Sequence, residues 1–525
     1  MLDYVVEDVF YSRVRAIALK TPGNSAVECN GREITYEELL EQTDRCAMAL
    51  SELGVRYGDR VAFMAPPRPE VIIVLLACSR LGATFAGLGL RLQGEDLKYI
   101  LDDAAPRIIF APDSLDGRKC ADEIEALLPD GSDQQVVRLS IQDDNGIAPE
   151  FEAFIAGAEG RDVPVSGHPD TPLAIIYTSG STGKPKGAEI TNLAVLTSVS
   201  NALRRIDIAD VRALSLLPID HVAFLANELV MVLLSGGAAV QISRFDVCDV
   251  LETIEKKKIT LWCAIPTMLQ RIATSGRIDD FDLSSLEYLW WPGPLSEQAF
   301  QIIRGKAKRL GVSYGMTEAA GGITFSDPDT PQERLLHTVG RVLPSLEMKL
   351  DDVDVVDGRE IGEILIRGKQ LITEYWNRPD ATSAAFTEDG WFRTGDLGAL
   401  DGDYLSIVGR KKELIRSGGY NISPYEIEAA IESHPAVDFA IVVGVRDEEY
   451  GEAVVGALSF VKGQTAEVED IRSHVRAKLP GYKVPKHLST QDGIPFLANG
   501  KVDRNLLKKQ LGEVWTEICK ERDKV

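Results

Sequence analysis

The sequence predicts an α/β protein: a large N-terminal domain of layered α/β subdomains that ends in a β-rich subdomain, followed by a small α+β C-terminal domain. Three observations carry this reading. Short apolar runs alternate with helical patterns through most of the chain, as in layers around a largely parallel sheet. Between residues 340 and 410 strand-like pieces sit among Gly, Asp and Pro turns. After Lys412 the pattern shifts again, and 525 residues are too many for one simple core.

Taken in order, the first helix signal is Thr35-Tyr36-Glu37-Glu38, which has capping-box spacing. Leu39, Leu40, Ala47 and Leu50 follow, and Gly54 suits the stop. Arg60–Met64 and Arg107–Ala111 read as strands, and Glu70–Leu81 as a buried helix. The alternation recurs at Leu173–Tyr177, Ala213–Leu217, Ala238–Ile242 and Leu261–Ile265, then at Glu363–Ile366 and Tyr404–Val408 in the β-rich part. Ser423-Pro424-Tyr425-Glu426 has the spacing of a second capping box, with Pro at the first helical position. A helix through Ile431, strands Phe439–Val445 and Val454–Val461, a helix near Ile471–Lys478 and a basic tail complete the small domain. The expected division is 1–410 and 411–525.

Hydrophobic residues make up 45% of the chain and charged residues 26%, the balance of a folded globular protein. A formal net charge of -23 argues against non-specific binding to nucleic acid or to anionic membrane. Local basic residues late in the chain still offer places for an anion: Arg410, Lys411, Lys412, Arg416, Lys483, Lys486, Lys501 and Arg504. Seven cysteines without C-x-x-C spacing suit a reducing compartment, and the acidic N-terminus lacks a signal-peptide stretch, so the expected location is cytoplasmic. Val71–Ala77 is too short to span a bilayer. Phe224–Val240 carries Asn227 and Glu228, and both segments read as buried elements.

The strongest local signal runs from Tyr177 to Gly187. An apolar strand enters a loop of glycines and hydroxyls, Thr178-Ser179-Gly180-Ser181-Thr182-Gly183, then Lys184-Pro185-Lys186, and a helix restarts near Thr191-Asn192. Glycines let backbone N–H groups approach an anion, hydroxyls donate and lysine supplies charge, which suits a pyrophosphate. The spacing is not that of a Walker loop, and no G-x-G-x-x-G follows a strand.

This loop resembles the phosphate-binding signature of the ANL superfamily of adenylate-forming enzymes, which includes acyl- and aryl-CoA synthetases, peptide-synthetase adenylation domains and luciferases. The resemblance continues in family order. Tyr314-Gly315-Met316-Thr317-Glu318 matches Y-G-x-T-E, and Thr394-Gly395-Asp396 matches T-G-D. Gly409-Arg410-Lys411-Lys412-Glu413 matches G-R-x-x-[DE]. Gly418-Gly419-Tyr420-Asn421-Ile422, with Pro424 and Glu426-Ile427-Glu428, matches G-G-x-N-I-x-P-x-E-I-E. Asn499-Gly500-Lys501 with Arg504 matches the closing N-G-K-x-x-R.

The resemblance implies an ATP-dependent acid:CoA ligase. It would form an acyl-adenylate with release of pyrophosphate, then an acyl-CoA with release of AMP, using ATP, Mg²⁺ and CoA. The small domain would be mobile, with Lys412 at its hinge. Thr317 is implied to bond the α-phosphate and Glu318 to hold Mg²⁺. Asp396 would accept from the ribose hydroxyls and Arg410 would donate to ribose or phosphates. The loop residues Thr178 to Gly183, Lys186, Gly293, Pro294, Tyr314, Gly315 and Met316 would surround the nucleotide. Lys501 would bridge the acid carboxylate and the α-phosphate as a cation, and Gly418 and Gly419 would border the CoA arm.

At the acid pocket the match thins. Leu217-Pro218-Ile219-Asp220-His221 fits L-P-x-x-H, which implies that His221 stacks near the reacting carboxylate, with Phe224 beside it. Where the family has G-G-A-P, this chain has Trp291-Pro292-Gly293-Pro294, an indole in place of glycine, favouring a short, compact or ring-bearing acid. Loading of a carrier-protein phosphopantetheine is the alternative acceptor reading, a non-catalytic nucleotide sensor the alternative class, and a homodimer is left open. Phe245-Asp246 stands before a helix rather than where an amino-acid-binding Asp belongs.

Overall fold

A computed structural model describes residues 8–141, 147–158, 163–178, 184–356, 358–461, 463–490, 494–495 and 502–522. Three sheets organise the described residues. The first has six strands in the spatial order Gln135–Leu139, Ile108–Pro112, Arg60–Met64, Thr84–Leu88, Pro172–Thr178 and Lys186–Thr191. It is parallel except for its last hairpin, the pair that flanks the glycine-hydroxyl loop. The helix Pro69–Leu81 is buried at every position.

The second sheet has thirteen strands. Its parallel centre runs Ala238–Gln241, Arg212–Ser215, Leu261–Cys263, Tyr288–Pro292 and Arg309–Met316. At Arg309–Met316 the pairing changes hand: Gly321–Phe325 returns antiparallel, and every strand from there to Tyr404–Arg410 continues that way. The β-rich subdomain foreseen from Gly, Asp and Pro turns is thus an antiparallel extension of the same sheet. A five-stranded sheet begins with Ile415–Ser417 and includes Tyr420–Ile422, Val437–Asp447, Gly451–Phe460 and His487–Thr490. Helices Pro424–Glu432 and Val468–Lys478 cover one face through Ile427, Ile431, Ile471 and Val475. The basic tail is the helix Arg504–Arg522, seated on the other face by Leu507, Leu511 and Trp515.

The Thr35 capping box forms in both directions. The second one does not. Ser423 caps nothing; its hydroxyl donates instead to the Val408 carbonyl, and Glu426 pairs with the buried Lys483. Pro424 fixes the helix start without a side-chain cap, and a tertiary partner outcompetes the local one. The strand expected over 213–217 ends at Ser215, so Leu216 and Leu217 need partners outside the ladder. Phe224–Val240 is a π-helical turn, Phe224–Val230, then a short helix and the strand Ala238–Gln241, all largely buried. Among the described residues no helix is long and apolar enough to cross a membrane.

Candidate active site

Strands of the large sheet bring together Asp396, Arg410 and Tyr314, with Gly315, Met316, Thr317 and Glu318 next along the chain and Gly293 and Pro294 close by. Asp396 and Arg410 are direct partners in the antiparallel pair Phe392–Asp401 and Tyr404–Arg410. Asp396 is buried, and Arg410 Nε lies 3.1 Å from its Oδ1. The Tyr314 hydroxyl, at the end of Arg309–Met316, donates to Asp396 Oδ2 at 2.6 Å. Thr394 Oγ1 accepts from the Asp396 backbone N–H at 3.1 Å. Burial pushes the Asp396 carboxyl up, with Arg410 and the Tyr314 hydroxyl pulling against it. Burial and the neighbouring carboxylate hold the Tyr314 hydroxyl well above its ordinary range, so it stays a donor. Each carboxylate oxygen keeps acceptor capacity beyond its one partner, enough for a diol.

Gly315 sits where the strand Arg309–Met316 faces its return strand. A Cβ there would lie 2.2 Å from the Gly321 carbonyl oxygen, so only glycine permits this pairing. Thr317 and Glu318 follow in a single 3₁₀ turn, Thr317–Ala319. Glu318 is buried, and its Oε1 accepts from the Tyr375 hydroxyl at 2.7 Å. Burial and Glu318 together push that hydroxyl upward, so it too remains protonated. Tyr375 also faces Lys186, whose Nζ is 5.2 Å from the ring centroid. Thr178 and Lys186 are paired across the hairpin that carries the glycine-hydroxyl loop. Ser179, Gly180, Ser181, Thr182 and Gly183 lie outside the described residues, as does Lys501. Gly293 donates its N–H to the Ser313 carbonyl at 2.7 Å, which places Gly293 and Pro294 beside the Tyr314 strand.

His221 is half-buried in the segment between Ser215 and the π-helical turn. Its Nδ1 accepts from the Ala223 N–H at 3.1 Å, which puts the proton of the neutral ring on Nε2. Asp220 packs against the end of the neighbouring sheet, where a Cβ on Gly89 would meet its Oδ2 at 2.3 Å. Phe224 and Trp291 are fully buried, and Trp291 meets Phe300 edge-on at 6.1 Å. Asp246 caps the helix Val247–Lys257 by accepting from the Cys248 and Asp249 N–H groups, so the Phe245-Asp246 pair serves a helix start.

Lys412 is exposed between Arg410 and Ile415–Ser417. Gly418 and Gly419 form the two-residue turn between Ile415–Ser417 and Tyr420–Ile422, with φ of +57° and +86°. Around this turn, Tyr420 and Tyr482 stack at 4.3 Å and Lys486 Nζ lies 3.9 Å from the Tyr450 ring centroid. Most of the basic residues noted in the sequence are already paired internally. Arg504 grips both oxygens of Glu428, Lys411 meets Glu363 and Asp352, and Lys483 meets Glu426. A basic run read along the chain therefore overstates the free positive charge. Tyr375 escaped sequence reasoning, and Glu228 entered it only as a polar residue in a buried apolar run: a lone aromatic and a lone carboxylate carry no spacing signal for a role.

Residues 14–376 match the family model of AMP-binding enzymes, and residues 426–501 match the model of their C-terminal domain. The chain belongs to the AMP-binding enzyme family. Within it, the protein is an acyl- or aryl-CoA synthetase of the ANL superfamily. It is 35% identical to a feruloyl-CoA synthase of an Amycolatopsis species, over 94% of this chain and 97% of the relative. It is 34% identical to the indoleacetate–CoA ligase of Aromatoleum aromaticum, over 92% and 94%. The solved o-succinylbenzoate CoA synthetase of Bacillus subtilis, in complex with ATP and magnesium ion, matches with a TM-score of 0.82 and 28% identity, covering 96% of this chain and all of that one.

Proposed function

We propose that the protein activates an aromatic-ring carboxylic acid with ATP and transfers the acyl group to CoA. The observation that carries this reading is the convergence of Asp396, Tyr314 and Arg410 with the adjoining Thr317–Glu318–Tyr375 group. One group suits a ribose diol and the other suits phosphates. Asp396 accepts from the ribose hydroxyls while Tyr314 and Arg410 hold its two oxygens in place. Thr317, the glycine-hydroxyl loop and Lys186 surround the phosphates.

The donor set fits Mg²⁺: Glu318 is a buried hard-oxygen ligand whose other oxygen is steadied by Tyr375. When bound, the ion would offset charge on the phosphate oxygens. Lys501 stands three residues before Arg504, whose bidentate grip on Glu428 ties the start of the last helix to the helix Pro424–Glu432, while the same guanidinium donates to the Val442 carbonyl of the small sheet at 3.0 Å. That anchoring lets residues 411–525 carry the ammonium as a body to the junction of carboxylate and α-phosphate, where two anions must meet. Swinging about Lys412 would then bring the Gly418–Gly419 turn to the thiol path. The exposed Tyr420–Tyr482 pair and Lys486 beside that turn offer a face and a charge to the nucleotide end of CoA.

The ring-bearing acid is supported by two relatives whose names state aryl acids and by the indoles of Trp290 and Trp291, on the strand Tyr288–Pro292 just before Gly293. The test is AMP release with CoA across a panel of benzoic, cinnamic, arylacetic, short aliphatic and fatty acids. Selective turnover of aromatic acids is expected. Preference for fatty acids would overturn the acid class, and no CoA-dependent AMP release with any acid would overturn the reading itself.

A further inference from the structure

The π-helical turn that follows His221 carries a carboxyl with no part in the chemistry above. Glu228 is 2% exposed, and its Oε2 accepts three hydrogen bonds, each of 3.0 Å: from the Ser215 hydroxyl and from the backbone N–H groups of Leu216 and Leu217. Those two N–H groups are the ones left over where the strand Arg212–Ser215 stops short. Both residues are buried, so without an acceptor each donor would carry a desolvation cost of roughly 1–3 kcal/mol.

The consequence is topological. Ser215–Leu217 leads directly into Pro218–His221, and Glu228 lies on the turn that begins just after it. One carboxyl therefore joins the two ends of the loop that presents His221. Within that loop the His221 N–H donates to the Pro218 carbonyl at 3.0 Å. The His221 carbonyl accepts from Phe224 and Leu225 at 3.1 and 3.3 Å, and the ring Nδ1 accepts from Ala223. From the far side the Ile219 carbonyl presses on Gly87, where a Cβ would lie 2.6 Å away. Glu228 fastens this loop to the π-helical turn through three hydrogen bonds to Ser215, Leu216 and Leu217.

We infer that Glu228 is a positioning residue: it closes the His221 loop and thereby fixes the ring that faces the reacting carboxylate. This rests on the acid-site reading of His221 given above. The carboxyl does this work as a neutral group. Burial pushes it up to about 8 against the pull of its three donors. A glutamine presents the same carbonyl acceptor, so it should replace Glu228, whereas leucine offers no acceptor.

Two readouts separate positioning from mere stability. The first is the ¹⁵N signal of the His221 imidazole in histidine-labelled protein, identified among the six histidines by its loss in His221→Asn. Wild type and Glu228→Gln should show one tautomer with Nδ1 unprotonated, and Glu228→Leu should show averaging. The second is the division of kinetic effects. Glu228→Leu should raise the KM for the acid about 10-fold and leave that for ATP within about 2-fold, while Glu228→Gln stays within about 3-fold on both. Ser215→Ala, a milder loss of one donor, should move the acid KM in the same direction and serves if the leucine variant does not fold. A wild-type His221 signal in Glu228→Leu, or in Ser215→Ala where that variant stands in, would overturn the proposal, as would equal damage from Gln and Leu. If no acid is turned over, the ligase reading fails while the imidazole signal still decides this one.

Discussion

The proposed nucleotide end and the proposed acid end of this site are built by opposite means. At the proposed nucleotide end, polar side chains stand on strands of one sheet: Asp396, midway along its strand, faces Arg410 across a ladder, and Tyr314 reaches the same carboxylate from a strand that pairs with neither. Register sets the Asp396–Arg410 pair, and the curl of the same sheet brings Tyr314 to it. At the acid end a loop leaves the sheet, and its shape depends on a buried carboxyl joining residues 215–217 to 228. A ligand common to all such enzymes can be met by a rigid edge. A variable acid calls for a segment whose floor can be rebuilt by changing buried residues, and the price is a polar group in the core.

Four substitutions bear on this contrast. The largest effect is expected for Lys501→Ala, which should nearly abolish acid-dependent pyrophosphate exchange yet largely spare thiolysis of a supplied acyl-adenylate; equal loss of both half-reactions would sink its role. Next, Asp396→Ala removes charge-assisted acceptors and leaves Tyr314 facing an empty position. Nucleotide affinity measured by titration should fall roughly 10- to 100-fold, with little change in the acid KM. An equal rise in both constants would mean that the two ends are not separate.

Gly419→Leu tests the small domain. A Cβ at that position meets nothing within 4 Å, so the folding cost comes only from the left-handed backbone, about 1–2 kcal/mol. Pyrophosphate exchange should persist and CoA ester formation should fall. Retention of both would remove the turn from the thiol path.

The smallest effect concerns pH and sharpens the acid end. Glu228 holds its proton to about pH 8 in the folded protein, whereas in the unfolded chain it releases it in the ordinary carboxylate range. Between those limits the folded state binds more protons, so this group weakens stability as pH rises, and the trend levels above about pH 8. Thermal melts of Glu228→Gln should therefore gain on wild type as pH climbs toward 8 and run parallel above it. A constant difference across that range would mean that the carboxyl is ionised throughout.

Much was legible in the sequence because it depends on local rules. Alternating apolar runs marked the strands to within a few residues, Thr35 and Glu38 marked a helix start, and the ordered motifs marked the residues that gather as Asp396, Arg410 and Tyr314. Where a local rule met a tertiary competitor it gave way. Ser423 has the spacing of a cap, yet its hydroxyl goes to the Val408 carbonyl. Arg504, Lys411 and Lys483 look like free charge along the chain, yet each has a carboxylate from a distant segment.

The sequence by itself determined which segments become strands and helices and marked Tyr314, Asp396 and Arg410 as candidates for one cluster, since periodicity and motif spacing act over a few residues. Only the tertiary structure decided that Tyr375 would meet Glu318 and that Glu228 would end under Leu216 and Leu217. Those contacts come from strand ends left unsatisfied and from groups stripped of water on folding. Their partners are chosen by proximity in space, which no pattern along the chain encodes.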